Sequence, residues 1–395
     1  MDRQHSGFVL SGGGAYAAYE VGVLRALVTG VSPATGYRAV DAGIISGTSG
    51  GAINGAVIAC ARWSDAPSVI DHLEQIWLSR ISEQPEDCDS NVLRLRANPL
   101  NFLNPQCLTR VPGFYLSVAT DLAYLGAESI ARGQSIFRSS GTLRQRVIEA
   151  FDLGTLVTGR PLRELLGETV DFGAIRASPR ALRIAATNWR TGELQVFKNA
   201  DLTDEVGVDV LLASSAIPGL LPSVEIGDEP FVDGGVVMNT PLKPAIEAGA
   251  SDLHVVYMDP DVMHIPLPRQ RNTLNTLYRM VVISFGLTVS RDIRTAAAIN
   301  LRVRRDEESA TTTALTGQAR GKPYRPLTIH RYHPKEDLGG TFRWLDFNRD
   351  HVATLIERGF EDARAHDCER NRCVIPGREQ DVVSADTAPW ARRDA

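Results

Sequence analysis

The sequence predicts an α/β fold built around a parallel sheet. Two short apolar strands, at residues 8–10 and 42–46, each run directly into a glycine-rich turn, and each turn leads into a helical pattern. Consecutive strand–turn–helix units favour parallel pairing, because the helix carries the chain back along the sheet. With 395 residues, the chain is long enough for one large or two medium domains.

Composition excludes several classes of protein. With 43% hydrophobic and 23% charged residues, the chain is that of a folded globular protein, and its net charge of -5 predicts no nucleic-acid partner. The longest nearly apolar run, residues 280–289, is far below the roughly 20 residues of a membrane-spanning helix. No Sec signal peptide is visible, so a cytoplasmic or peripheral membrane location is expected. Five cysteines without a CxxC pair predict free thiols in a reducing compartment.

The remaining elements follow from periodicity. Helices are predicted from residue 15 to Gly30, then at 52–62 and 67–80, and the strand–helix alternation lapses between about 81 and 179, where a helical insertion is expected. Strands resume afterwards, at 182–187, 193–197, a segment ending at 231–232, 253–258 and 327–332. Beyond the strands lie a helix over 272–300, a polar loop over 302–325, a last helix around 352–360, and a disordered tail over 369–395.

A candidate nucleophile lies in the second glycine-rich turn. Gly47-Thr48-Ser49-Gly50-Gly51 fits G-x-S-x-G between a strand and a helix, the setting of a nucleophile elbow. Gly47 and Gly51 let this sharp turn close without Cβ clashes, and the turn lifts the hydroxyl of Ser49 into the open. The first N–H groups of the following helix would stabilise an anion that develops there.

The first glycine-rich turn, Gly12-Gly13-Gly14, has three interpretations. With Ala17 it fits the G-x-G-x-x-A fingerprint of a dinucleotide site, but the next strand ends in the serine loop and not in the required acidic residue. It can also be an oxyanion hole whose backbone N–H groups point at a carbonyl attacked by Ser49, or simply a structural turn. A phosphate-binding P-loop is excluded, since no G-K-[ST] follows.

The base that would activate Ser49 is not evident from the usual serine–histidine order. The histidines after the serine lie in surface or strand positions that favour structural roles, and they are His254, His264, His330, His333, His351 and His366. Asp233 is better placed, because Phe231-Val232-Asp233-Gly234-Gly235 puts a carboxylate at the end of a strand beside two glycines. No set of histidine, cysteine and acidic residues has metal-ligand spacing, so neither a metal nor another cofactor is expected.

These motifs, in this order, resemble the patatin-like phospholipases. Two further stretches agree, at 19–24 (YEVGVL) and 213–218 (ASSAIP), and the resemblance covers roughly residues 7–260. It implies a three-layer α/β/α fold, a Ser49–Asp233 dyad, an oxyanion hole at Gly12, Gly13 and Gly14, and hydrolysis of lipid acyl esters of the phospholipase A or lysophospholipase type. It also implies a lipid or phospholipid substrate and peripheral membrane contact. Residues 261–368, which the resemblance does not explain, are expected to form a C-terminal helical extension that packs on the core.

One part of the family pattern is absent. The family loop usually reads G-G-G-x-[RK]-G, whereas Tyr16 and Ala17 occupy the last two positions here. Loss of the basic residue removes one electrostatic contribution to the oxyanion site, and an alanine tolerates positive φ less well than a glycine. This departure favours a different function, that of a catalytically weak lipid-binding regulatory protein. Two further alternatives are a histidine-dependent esterase and a dinucleotide-binding oxidoreductase.

Overall fold

A computed structural model shows a central sheet of eight strands with helices on both faces. The structure describes residues 3–61, 66–83, 92–96, 113–138, 142, 154, 156–258, 273–313, 325–336, 338–339 and 343–378. The sheet strands are β1 (Ser6–Leu10), β2 (Ile44–Thr48), β5 (Ala181–Asn188), β6 (Leu194–Lys198), β7 (Val224–Ile226), β8 (Glu229–Asp233), β9 (Asp252–Val256) and β10 (Thr328–Tyr332). A separate short pair, β3 (Arg94–Leu95) and β4 (Val157–Thr158), lies outside this sheet. The three-layer α/β/α prediction is confirmed.

Strand order explains where the glycine-rich turns meet. The sheet runs β10-β9-β1-β2-β5-β8-β7, with β6 paired to β5. The first five of these strands are parallel, as the sequence predicts, whereas β6, β7 and β8 add an antiparallel side. Since β1 and β2 are neighbours that point the same way, the two glycine-rich turns leave the sheet at the same edge. Ligands of α/β proteins usually bind at this edge.

The helices cover both faces of the sheet. They are α1 (Ala18–Val28), α2 (Gly50–Cys60), α3 (Ala66–Ile76), α4 (Gly113–Arg138), α5 (Arg160–Thr169), α6 (Phe172–Ala177), α7 (Gly207–Ser214), α8 (Gly235–Met238), α9 (Leu242–Glu247), α10 (Thr273–Thr313) and α11 (Arg349–Arg364). Alternate residues of β1 point to opposite faces, so Phe8 packs with α1, α2 and α11, while Val9 packs with α9 and α10. None of the described helices is long and apolar enough to span a bilayer.

The region predicted as a helical insertion contains α4, α5 and α6, together with β3, which precedes α4, and β4, which lies between α4 and α5. Leu162, Leu165 and Leu166 of α5 belong to the main hydrophobic core, so this end of the region is part of the domain itself. The stripe expected at Leu143, Val147, Ala150 and Phe151 lies outside the described residues. The proposed domain boundaries stay predictions.

Two predictions for the C-terminal region are wrong. Helix α10 continues through residues 302–313, where a loop was expected, because arginine, glutamate and alanine are good helix formers even without an apolar face. The tail expected to be disordered from 369 is ordered as far as 378. Its Val374 is fully buried and exchanges two backbone hydrogen bonds with Ile329, of 2.8 and 2.9 Å. Residues 379–395 lie outside the described part of the chain.

Candidate active site

Ser49 lies on a strained turn between β2 and α2. Its φ of 53° and ψ of -125° are rare for a residue with a side chain, and such strain is often found at functional positions. The backbone N–H of Ser49 donates to the hydroxyl of Ser214 at 2.9 Å, and that hydroxyl donates to the carbonyl of Ala185 at 2.7 Å. A Cβ at Gly51 would lie 2.6 Å from the carbonyl carbon of Leu10, so only glycine fits this crossing. The strain is therefore held in place by neighbouring elements.

Asp233 ends β8 and faces Ser49. Its side chain forms a hydrogen bond with Ser49, and its Oδ1 accepts the N–H of Gly235 at 2.7 Å. The backbone is fixed as well, because its N–H donates to the carbonyl of Ala216 at 2.9 Å and its carbonyl accepts the hydroxyl of Thr187 at 3.0 Å. Burial raises the pKa of Asp233 from 3.8 to about 7, although the hydrogen bonds from Gly235 and Ser49 lower it. A carboxylate with this pKa is a useful base at neutral pH.

The 213–218 stretch forms hydrogen bonds with the backbones of both Ser49 and Asp233. Ser214 positions the backbone of Ser49, and Ala216 accepts the N–H of Asp233. The sequence marked this stretch only as a family feature. Its role became visible through contacts 165 residues apart along the chain, which no local pattern contains.

The glycine loop differs from the predicted oxyanion hole at one position. The N–H of Gly12 donates to the carbonyl of Asn239 at 3.0 Å, and the amide of Asn239 donates back to the carbonyl of Gly12 at 3.1 Å. Gly12 therefore anchors the loop and has no N–H left for a substrate. In contrast, the N–H groups of Gly13 and Gly14 donate no hydrogen bond to any of the described residues. Gly14, with φ of 56°, lines the same pocket as Ser49.

Tyr16 and Ala17 are better explained by packing than by loss of function. Tyr16 is buried, and its ring lies edge-on to His351 of α11, with 6.2 Å between the ring centroids. Ala17 has φ of -63°, so the expected conflict with positive φ does not exist. The Cβ of Ala17 instead fills the space beside Gly50. This loop is adapted to the C-terminal helix that covers it.

The pocket beside Ser49 is lined almost entirely by apolar side chains. They come from three parts of the chain, namely Ile53, Trp77, Ile81, Val92 and Leu93 before residue 100, Leu162, Ile217 and Leu221 in the middle, and Trp344, Leu345 and Phe347 near the C-terminus. The last group shows that the region after 260, which the resemblance left unexplained, completes the pocket wall. An apolar cavity of this kind suits a hydrocarbon chain.

A second apolar surface lies next to Asp233. A Cβ placed on Gly235 would be 3.4 Å from the ring of Phe285, so α10 passes directly over the turn that carries the carboxylate. On the outside, Val236 and Val237 of α8 are exposed, as are Met280, Ile283 and Leu287 of α10. The last three recur at helical spacing on one side of α10. Exposed apolar groups in such a set mark interaction surfaces.

The described histidines have other surroundings. His254 is fully buried within the sheet and stacked on His330, and burial lowers its pKa well below 6.5. His333 stacks on Tyr257, and His351 packs on Tyr16. His330 and His366 contact cysteine sulfurs. Asp233 is the group paired with Ser49, and His264 lies outside the described residues.

Comparison with known proteins decides the family. The model of the family described as patatin-like phospholipase matches residues 8–246, which is more than half of the chain. The chain belongs to the patatin-like phospholipase family. Among solved structures, it is similar to VipD from Legionella pneumophila at 13% identity and a TM-score of 0.33, over 90% of this chain and 67% of that one. No curated protein matches the sequence.

Membership of the patatin-like phospholipase family supports a lipid hydrolase. All of the motifs that carried the resemblance, from Gly12 to Gly235, lie within the matched residues. Sequence reasoning missed Asn239 and Thr187, which position the motif residues, and it marked Ser214 only as part of the 213–218 stretch. It also missed Trp344, which lies beyond the match and packs against Gly14.

Proposed function

We propose that the protein is a serine acyl hydrolase that cleaves lipid acyl esters, of the phospholipase A or lysophospholipase type, with Ser49 as nucleophile and Asp233 as base. The observation that carries the proposal is the hydrogen bond between Ser49 and Asp233. Ser49 lies on a strained strand-to-helix turn and lines an apolar pocket. The pairing brings together a hydroxyl and a carboxylate whose pKa is about 7. An adjacent general base is one of the ways in which a serine nucleophile is activated.

The reaction follows from these positions. The Oγ of Ser49 attacks the ester carbonyl while its proton passes to Asp233, and the N–H groups of Gly13 and Gly14 are the proposed donors to the resulting oxyanion. Collapse of this intermediate expels the alcohol, which takes the proton from Asp233, and leaves an acyl group on Ser49. Water then attacks the acyl-enzyme and gives a proton to Asp233. Collapse of this second intermediate returns that proton to Oγ of Ser49 and releases the fatty acid. One oxyanion donor typically contributes about 2.7–4 kcal/mol.

The apolar surfaces support a lipid substrate. The pocket places its hydrocarbon lining next to Ser49, where the acyl chain of an ester would lie. The exposed apolar side chains of α8 and α10 would contact a lipid surface next to Asp233. Contact there would let an acyl chain pass from the lipid surface into the site without full exposure to water.

The decisive experiment combines a chemical probe with two variants. A fluorophosphonate should add once to the intact protein, and peptide mapping should place the adduct on Ser49. Ser49→Ala should lose both labelling and ester hydrolysis while keeping the circular dichroism spectrum of the native protein. Asp233→Asn should lose nearly as much activity. Labelling at another serine, or a histidine variant as inactive as Ser49→Ala, would refute the dyad and favour a histidine-dependent esterase.

The second candidate, a catalytically weak lipid-binding protein, is favoured by one observation. A buried tyrosine replaces the basic residue that the family usually has in the glycine loop. Such a protein would bind phospholipid vesicles but would not react with the fluorophosphonate. The same labelling experiment therefore separates the two functions.

A further inference from the structure

Four potential metal ligands meet at the edge of the sheet. His330 belongs to the edge strand β10, and His366, Cys368 and Cys373 belong to the segment that follows α11. One ligand atom from each of these side chains lies within 4.8 Å of the other three. The spacing along the sequence gave no sign of this group, because one ligand is separated from the others by a whole helix.

The distances within this cluster fit a tetrahedral metal centre. The Sγ of Cys368 lies 3.4 Å from Nδ1 of His330 and 3.5 Å from Nε2 of His366, and the Sγ of Cys373 lies 3.3 Å from the same Nε2. A zinc ion bound at about 2.3 Å to sulfur and about 2.0–2.1 Å to nitrogen sets the sulfur–nitrogen edges of a tetrahedron at about 3.5 Å. The three measured edges are within a few tenths of an ångström of that length.

The surroundings of the cluster are those of a metal site. Nε2 of His330 faces Oδ1 of Asp252 at 3.8 Å, and this oxygen is buried with no hydrogen-bond partner among the described residues. A carboxylate behind a ligating histidine is a common arrangement at metal centres. The Sγ of Cys373 accepts the backbone N–H of Arg331 at 3.4 Å.

The second histidine is also oriented from behind. Nδ1 of His366 lies 2.8 Å from the side-chain amide of Asn371. The same amide nitrogen donates to the carbonyl of Arg331 at 3.1 Å. Nδ1 carries a proton when Nε2 binds a metal, so metal binding would require the amide to turn its oxygen to Nδ1 and to give up the hydrogen bond to Arg331. Both histidines therefore have a polar partner on the side away from the sulfurs.

We propose that His330, His366, Cys368 and Cys373 form a structural zinc site that fastens the C-terminal segment to the edge of the sheet. Two sulfurs and two imidazole nitrogens are a ligand set that selects zinc. Four protein ligands fill the tetrahedron and leave no position for a reactive water, so the site is structural and takes no part in ester hydrolysis. Binding releases one proton from each thiol, and the two thiolates balance the charge of the zinc ion.

The position of the site explains what it would stabilise. The segment that carries three of the ligands also pairs Val374 with Ile329, and it covers the outer edge of β10. It directly follows α11, which packs on α1, and α11 in turn follows the Trp344 segment of the active-site pocket. Zinc would therefore hold the C-terminal region against the catalytic domain from its far end.

The first test measures metal in the full chain without a purification tag. After exhaustive dialysis against metal-free buffer, elemental analysis should give one zinc per chain. Replacement by cobalt should produce the visible absorption of tetrahedral cobalt, together with sulfur-to-cobalt charge-transfer bands. Folded protein without bound metal, even after refolding with zinc, would overturn the proposal. So would an intact mass lighter by two hydrogens, if peptide mapping places the disulfide between Cys368 and Cys373.

The second test uses variants with a matched control. Cys368→Ser and Cys373→Ser should each lose the bound zinc, whereas Cys60→Ser should retain it, since Cys60 lies at the end of α2 outside the cluster. Asp252→Asn keeps all four ligands and should weaken zinc binding about 10- to 100-fold. Retention of one zinc per chain by the Cys368 and Cys373 variants would overturn the assignment. If these variants do not fold, the cobalt spectrum of the unaltered chain decides the question alone.

Discussion

The dependence of activity and stability on the ionisation of Asp233 provides the most direct test of the proposed mechanism. Burial raises the pKa of Asp233 to about 7, and only the ionised carboxylate accepts the proton of Ser49. Activity should therefore fall as the pH drops through this value. At about pH 6 roughly one tenth of the molecules are ionised, and at about pH 5 roughly one hundredth, so kcat/KM should decline tenfold per pH unit.

The assay is hydrolysis of a neutral ester, whose own charge does not change between about pH 5 and about pH 9. An unburied aspartate would give a flat profile over this range, since its pKa lies near 3.9. A flat profile down to about pH 5 would therefore refute the assignment of Asp233 as a buried base. Asp228→Asn, on the exposed turn between β7 and β8, is the matched control and should leave the profile unchanged.

The same pKa makes a prediction about stability, with the opposite sign to that of most carboxylates. The folded protein holds the proton of Asp233 more tightly than the unfolded chain, so stability is lost as the pH rises from 3.8 towards about 7. One pKa unit corresponds to about 1.4 kcal/mol, so the full loss is about 4 kcal/mol.

Asp233→Asn removes this titration, and its neutral amide can still accept the N–H of Gly235. The variant should therefore be nearly inactive yet melt at a higher temperature than the unaltered protein at about pH 8, with the difference shrinking towards about pH 5. For a chain of this size, about 1 kcal/mol corresponds to roughly 1.2 °C, so a gain of about 4 kcal/mol corresponds to about 5 °C. The reasoning would be contradicted if the melting temperature of the variant, minus that of the unaltered protein, were smaller at about pH 8 than at about pH 5.

Three further predictions concern the rest of the chain. Truncation after residue 368 should lower the midpoint of thermal unfolding by about 2–4 °C, because it removes the buried Val374, whereas truncation after residue 378 should leave the midpoint unchanged. Equal midpoints of the two truncated chains in calorimetry would contradict the docked segment. Tyr16→Arg should lower the unfolding midpoint without raising kcat, because the guanidinium would be buried; a raised kcat on a neutral ester would restore the electrostatic interpretation. Burial raises the pKa of Glu20 well above 4.5, so Glu20→Gln should preserve stability at neutral pH, while Glu20→Ala should cost about 2–5 kcal/mol in denaturant unfolding.

The sequence predicted best the features that are determined locally. A strand that runs into G-x-S-x-G and then a helix specifies the turn at Ser49 almost by itself, because only small residues allow that path. The end of β8 at Asp233 is equally local. Once two parallel strands are recognised, their carboxyl ends must lie at one edge of the sheet, and the structure brings the turns that follow them together there.

Features that depend on distant contacts could not be predicted in this way. The hydrogen bond that occupies the N–H of Gly12 comes from Asn239, more than two hundred residues away. The ordered end of the chain has too little apolar character to predict burial, and it is held by a single strand pairing at Val374 and by its cysteine–histidine contacts. The fold topology determines which distant residues come into contact, and the types of these residues alone do not reveal their partners.

Tyr16 shows why a family pattern must be interpreted together with its surroundings. In the sequence it stands where related proteins usually have a basic residue, and that comparison predicts a weaker oxyanion site. In the fold its ring contacts His351, on a helix outside the residues that match the family. The segment just before this helix supplies Trp344, whose backbone and ring lie against Gly14. A tyrosine here is therefore part of the interface between the glycine loop and the C-terminal region. The proposed donors to an oxyanion, the N–H groups of Gly13 and Gly14, belong to the backbone and do not depend on the side chain at position 16.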